Sequence, residues 1–277
     1  MITGKILDES SSDYHASEAI SHSKLEVFRK RPLLYKKRYI DKSLAPEGSA
    51  AFVLGQAGHC SILEPTEYAL RYVVAPDVDR RTKAGKEEYS AFQAVNYGKE
   101  VISREDAEIV KRMTEAVRAN QIASQLLSEG EAEVTWRAHS TGQLLPHPLQ
   151  CRTDWINTTG GYIADLKTID SLDTTGVAAF QRNMVNFGYH RQGGFYTDVL
   201  AKCGHSSLQF YFIVVEKREP FGVVVLELSQ NAITLGWNES QEDLNKLSKC
   251  YSDNIWPNLP TAVQKLEMPL WYKTGAS

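Results

Sequence analysis

Two charged residues, Asp165 and Lys167, stand near the end of the otherwise apolar run Gly161-Tyr-Ile-Ala-Asp-Leu-Lys-Thr168. The run has the pattern of a short buried strand. Side chains alternate between the faces of a strand, so this carboxylate and this ammonium point the same way. Burying either one costs free energy unless it is paired or binds something. A salt bridge on an edge strand satisfies that demand, and so does a site.

The stretch just upstream adds a third group. Cys151-Arg-Thr-Asp-Trp-Ile-Asn157 has strand character, and Thr158-Thr-Gly-Gly161 is the turn between the two strands. With residues 158–161 as the loop, Asn157 pairs with Tyr162 and Asp154 falls opposite Asp165. Directly opposed Cβ atoms lie roughly 4.5–5.5 Å apart, and like charges placed so repel unless a cation lies between them. Two such carboxylates offer oxygen ligands suited to Mg²⁺, with Mn²⁺ tolerated. Lys167 would then stand beside the metal as a point charge. There it would position or deprotonate a water, or stabilise charge on phosphorus, rather than sit in a permanent ion pair. A nearby metal ion lowers its proton affinity. Glu133, one strand earlier, is a weaker candidate for a metal or water contact. Tyr189, Gln192 and Tyr196 share one helical face, and the last two are candidates to hold a phosphate or order the Lys167 end.

Helices must bring the remaining groups in. A helix over roughly 49–63 places Ala51, Gly55 and His59 at steps of four, with Gly58 adjacent. Glycine inside a helix costs roughly 1 kcal/mol relative to alanine. Two of them predict close approach to another element, with the His59 imidazole delivered to whatever the helix packs on. Pro46-Glu-Gly-Ser49 is a loop, and Pro65 ends the helix. Residues 1–20 are polar and irregular. Ser21-His22-Ser23 caps a helix over 24–30 with Leu25 and Phe28 inward. Pro32 breaks it between two basic clusters, Arg29-Lys-Arg31 and Lys36-Lys-Arg38, which are either a solvated face or phosphate contacts. The same choice applies to Arg80, Arg81, Lys83 and Lys86 in a polar loop.

Amphipathic helices follow over 87–98 and 104–128, the second opened by a capping box at Ser103. Strands are expected over 133–138, 151–157, 162–168, 209–216 and 222–228. A long helical segment over 174–202 kinks near Gly188, and a closing helix spans 229–251. A proline-punctuated tail with Trp256 and Trp271 packs along the surface or on a neighbouring subunit. The expectation is one α/β domain over 1–277, a central mixed sheet flanked by helices. Residues 1–130 are mainly helical, 131–228 hold the sheet and a helix, and 229–277 close it.

Composition narrows the class. The 277 residues are 42% hydrophobic and 23% charged, ordinary values for a globular chain. No apolar run is long enough to span a membrane, and the first residues lack a signal-peptide core, which points to the cytoplasm. Cys60, Cys151, Cys203 and Cys250 have no C-x-x-C spacing and are expected as buried thiols. A net charge of −3 disfavours a nucleic-acid binder that works by bulk charge.

Asp154 with Asp165-Leu-Lys167 resembles the core of the PD-(D/E)XK nucleases. Leu54-Gly-Gln-Ala-Gly-His59 and Gln192-Gly-Gly-Phe-Tyr196 resemble the extra motifs of their RecB-like exonuclease branch. Asp13-Tyr-His-Ala16, Leu54 to Pro65, Arg80-Arg-Thr-Lys-Ala-Gly-Lys-Glu-Glu88, Cys151-Arg-Thr-Asp154, Ala164-Asp-Leu-Lys-Thr168 and Tyr189 to Tyr196, in that order, are similar to the nuclease domain of the RecE family, exodeoxyribonuclease VIII. The resemblance implies a Mg²⁺-dependent exonuclease degrading one strand of linear duplex DNA from its 5′ end without ATP, leaving 3′ single strands for recombination. It implies metal ligands at His59, Asp154, Asp165 and the Leu166 carbonyl, and a catalytic lysine at Lys167. It further implies a ring tetramer acting on DNA ends with an annealing protein of the RecT type. Arg31 stands where some relatives place a cluster cysteine, so no iron–sulfur cluster is expected. The long N-terminal region of RecE is missing from this sequence. A catalytically silent recombination scaffold and an endonuclease are the alternatives on the same fold.

Overall fold

The computed structural model describes residues 3–7, 9–45, 50–173 and 175–268. The loop at 46–49, the side chain of Ala51 and Trp271 lie outside the described residues. Elements run β1 (Gly4–Ile6), α1 (Ser11–Ala16), β2 (Ile20–Ser21), α2 (His22–Lys30) and α3 (Pro32–Tyr35), followed by a π-helical turn at Lys36–Ile40. Next come α4 (Ala50–Leu63), α5 (Pro65–Arg71), β3 (Tyr72–Val74), α6 (Lys83–Val95), β4 (Glu100–Ile102), α7 (Arg104–Ala119) and α8 (Gln121–Leu126). The second half holds β5 (Glu131–Ala138), β6 (Leu149–Asn157), β7 (Tyr162–Ile169), α9 (Ala178–Phe187), α10 (Tyr189–Lys202), β8 (Gln209–Glu216), β9 (Val223–Glu227) and α11 (Gln230–Asp253).

Among the described residues, a seven-stranded mixed sheet has the order β1-β5-β6-β7-β8-β9, with β2 also pairing to β6. Period-two alternation on β7 and β8 feeds two apolar layers, as expected of strands covered on both faces. Ile163, Phe210, Phe212 and Val214 pack with Leu25, Phe28, Phe195 and Leu244 on the α2/α10/α11 side. Leu166, Ile213 and Val215 pack with Ala57, Met113 and Val117 on the α4/α7 side. The expected mixed sheet flanked by helices is the architecture found. Three of the four cysteines are buried, and all four are free thiols.

The β6–β7 hairpin has the expected pairing of Asn157 with Tyr162, but its ladder stops at Trp155–Ala164, one pair short of Asp154 and Asp165. The other end of β6 is taken by β2, at Ile20–Leu149 and Ser21–Gln150. The edge of β6 between these two contacts is left open, and there the strands part. The first twenty residues are therefore not irregular. With Ser21, the described ones supply an edge strand, a short helix and the two-residue strand that pairs with the far end of β6.

Local chemistry explains the other departures. α6 starts at 83, not 87, because Thr82 Oγ1 accepts the Gly85 N–H at 3.0 Å. The helix expected over 104–128 divides at Asn120, whose side chain caps α8 by accepting the Ala123 N–H at 3.0 Å. Pro65 occupies the first turn of α5 and so opens a helix as well as closing α4. Gly188, at φ 71°, makes the expected break between α9 and α10. In the tail, Trp256 stacks on Tyr35 with centroids 6.1 Å apart, and the Pro257 carbonyl accepts the Leu33 N–H at 3.1 Å. Beyond it Leu259, Val263 and Leu266 are exposed. No helix is long and apolar enough to cross a membrane among the described residues.

Candidate active site

The split between β6 and β7 opens into a cavity of about 810 Å³. Its wall includes Ser21 from β2, His22 and Glu26 from α2, Gly55 and His59 from α4, Glu133, Arg152, Asp154 and Lys167 from β5, β6 and β7, and Gln192 and Tyr196 from α10. Where the ladder has ended, the Asp154 carboxylate takes the place of a strand partner, and its Oδ2 accepts the Leu166 N–H at 2.8 Å. Sequence distance is thus closed by backbone geometry, and Asp154 is held rigidly at the mouth of the split.

His59 bridges two carboxylates. Its Nε2 lies 2.7 Å from Asp154 Oδ2 and its Nδ1 3.3 Å from Glu133 Oε1. Glu133 in turn accepts from Arg152 Nε at 2.6 Å, and Arg152 also donates to the Glu9 carbonyl at 2.9 Å. Burial works against charge on His59, but Asp154 and Glu133 outweigh it and push its pKa up to about 10. Burial likewise pushes Asp154 up, yet the His59 charge and hydrogen bond, Lys167 and the Leu166 N–H hold it below the usual carboxylate range. One donor atom each from His59, Glu133 and Asp154 lie within 4.8 Å of one another.

Asp165 and Lys167 form the second half of the site. They share the α10-facing side of β7, and Lys167 Nζ stands 2.5 Å from Asp165 Oδ2. The expectation that Lys167 would be kept out of an ion pair is overturned. A fully buried carboxylate needs a countercharge, and Lys167 is the cation on the same strand face. Gln192 Nε2 donates to Asp165 Oδ1 at 2.6 Å. Burial and the neighbouring Asp154 raise the Asp165 pKa. Burial lowers that of Lys167, but Asp165 and Asp154 more than reverse it, so the ammonium is held charged. Tyr189 covers Lys167, with Nζ 4.8 Å from its ring centroid.

α10 is aimed by glycines. A Cβ at Gly194 would lie 2.2 Å from the Trp237 backbone nitrogen, and one at Gly236 would lie 1.9 Å from the His190 carbonyl. The α10–α11 crossing is therefore backbone on backbone, and it sets the rotation that turns Gln192 toward Asp165. Tyr196 lines the cavity from the same face and tilts against Phe210 at 6.4 Å.

The structure thus brings together His59, Glu133, Asp154, Asp165, Leu166, Lys167, Gln192 and Tyr196. Glu133, the weaker expectation, stands with His59 and Asp154. Asp165 stands with Lys167 and Gln192, and Leu166 meets Asp154 through its N–H. Arg80, Arg81, Lys83 and Lys86 are elsewhere, exposed on the turn before α6 and its first residues. They sit in a β3–α6–β4 excursion whose two strands pair in parallel. Arg71, at its base, lines the cavity and bonds Glu100 at 2.7 Å. Arg80 stacks over Tyr89 at 4.1 Å. Residue types and spacing gave no role to Arg152, Glu26 or Phe187. Arg152 lies two residues from Asp154 on β6, a spacing that puts it on the same strand face.

Residues 21–266 match a family described as "PDDEXK-like domain of unknown function (DUF3799)". A crystal structure from Eubacterium rectale, described as "Putative exonuclease", aligns over 96% of this chain and 97% of its own, with a TM-score of 0.64 and 13% identity. No curated protein matches.

Proposed function

The chain belongs to the PDDEXK-like family DUF3799, and from that premise we propose that it is a metal-dependent nuclease acting on DNA. The observation carrying this is the convergence of His59, Glu133 and Asp154 on the one cavity that Lys167, paired to the buried Asp165, also lines. A divalent cation suits that donor set, since two carboxylate oxygens and an imidazole nitrogen converge within 4.8 Å of one another. Asp165 Oδ2 is buried against the Lys167 ammonium at 2.5 Å. His59, Asp154 and Glu133 would hold the ion, and the family resemblance adds Asp165 and the Leu166 carbonyl. Bound there, Mg²⁺ or Mn²⁺ would polarise a phosphodiester and acidify a water. Lys167 orients the attacking water and balances charge on the phosphate. Gln192 fixes the Asp165 carboxylate against which Lys167 is set. Tyr196 closes the wall.

The finer reading rests on the RecE-like motifs. It comprises exonucleolytic, ATP-independent attack from 5′ ends, 3′ single strands passed to a RecT-type annealing protein, and a ring of four copies. Arg80, Arg81, Lys83 and Lys86 would hold the DNA backbone away from the cavity, on the excursion whose base residue Arg71 lines it. The test is digestion of linear and covalently closed circular duplexes with Mg²⁺, with Mn²⁺ and with EDTA. Loss of the linear form alone, abolished by EDTA, is the expected result. Equal digestion of circles makes it an endonuclease, and no digestion of either makes it a binding scaffold.

A further inference from the structure

Phe187 ends α9, lines the catalytic cavity and leaves 56% of its surface exposed. Single exposed aromatics are ordinary on protein surfaces. This one differs in what holds it. Its ring stacks on Tyr189 at 5.7 Å and 29°, and Tyr189 stacks on Phe180 at 5.5 Å and 26°. Tyr189 is also the ring that lies under Lys167 Nζ, at 4.8 Å. The corner carrying Phe187 is stiff. Gly188 holds φ 71°, and a Cβ there would lie 2.4 Å from the Arg191 guanidinium. Arg191 is itself tied to Glu26 at 2.5 and 2.9 Å and to Glu239 at 3.1 Å. The result is a fixed aromatic ring, open to solvent, one ring away from the lysine.

Resting on the nuclease reading, the geometry points to Phe187 as a stacking platform for a nucleobase of the strand being cut. Every base has a π-face, so the contact is indifferent to sequence. A base inside a duplex has both faces covered by its neighbours, whereas a terminal or unpaired base has one free. Phe187 therefore selects a terminal or frayed nucleotide and sets its phosphate toward Lys167.

The test uses the full chain and linear duplexes whose terminal nucleotide carries either a base or an abasic sugar. Removing the base lowers wild-type kcat/KM by about tenfold, in line with one base–aromatic stack. Phe187→Ala lowers it by a similar factor on the intact duplex and shows no further loss on the abasic one. Phe187→Trp keeps the intact-duplex rate, and Mn²⁺ affinity by calorimetry is the same in all three proteins. Losses that multiply when combined, or a Phe187→Ala protein at the wild-type rate, overturn the stacking assignment and leave the nuclease reading standing. A wild type that cuts no DNA with either metal overturns both.

Discussion

Lys167 and Asp165 make each other tolerable inside the sheet. Lys167→Ala lowers kcat by about 10²–10⁴-fold, the range of a positioned proton-transfer group, while duplex affinity measured in Ca²⁺ is kept. Robust cleavage by that variant would remove Lys167 from the chemistry. Glu133 is the residue whose standing the fold changes most. It touches His59 and Arg152 at once, so Glu133→Gln is expected to weaken Mn²⁺ binding by about 10–100-fold, read by titration calorimetry. An unchanged affinity would leave the ion to His59, Asp154 and Asp165.

At the scale of elements, two glycines in cavity-lining helices have opposite duties. By sequence, Gly55 and Gly58 alike mark close packing. That holds for Gly58, where a Cβ would lie 2.7 Å from Met113 Cε. At Gly55 a Cβ meets nothing within 4 Å, because the helix there faces the cavity. Gly55→Ala should therefore stabilise α4 by up to about 1 kcal/mol. Gly194→Ala, forced against the α11 backbone, should destabilise by about 1–3 kcal/mol. Urea denaturation of the two variants checks both signs.

The hairpin register was legible because a tight Thr-Thr-Gly-Gly turn ties Asn157 to Tyr162 with no freedom to slip. The end of the ladder was not, because a turn marks where pairing starts and not where it stops, and the strand on the far end of β6 is only Ile20 and Ser21, too few residues to show any periodicity. His59, Asp154, Asp165 and Lys167 were legible as residue types at telling spacings. The pairing of Glu133 with His59 was not, since it needs the packing of α4 across β5. The purpose of Gly194 needed α11 in place, far downstream.

For the molecule as a whole, an ionic network that starts in the cavity wall ties α2, α10 and α11 together. Glu26 pairs with Arg191 and lies 3.6 Å from His22, and Arg29 bonds Asp243 at 2.9 Å and reaches Glu239 at 3.3 Å. Burial pushes the Glu26 carboxyl up, but His22 and Arg191 outweigh it and hold its pKa at about 2. A depressed folded pKa means that the unfolded chain takes up the proton first. The Glu26 contribution is therefore complete above the ordinary value of 4.5 and is lost as pH falls through about 2. The stability gap between wild type and Glu26→Gln should be widest near neutrality and close across that window, followed by urea denaturation at stepped pH. The excursion bearing Arg80 and Lys83 calls for a different measurement. Replacing both with alanine should flatten the salt dependence of duplex binding by about 0.9 in log–log slope for each phosphate no longer neutralised. An unchanged slope would clear the excursion of any role with DNA.

The bond from the Leu166 amide to the Asp154 carboxylate also makes that one peptide group a reporter. Most strand amides are protected by a carbonyl that no ligand disturbs. This one is protected by a side chain that a divalent cation would compete for. In a ¹⁵N-labelled sample the Leu166 resonance should shift with Mg²⁺ occupancy, and its hydrogen exchange should quicken in Asp154→Ala. Loading of the centre could then be followed with no nucleic acid present.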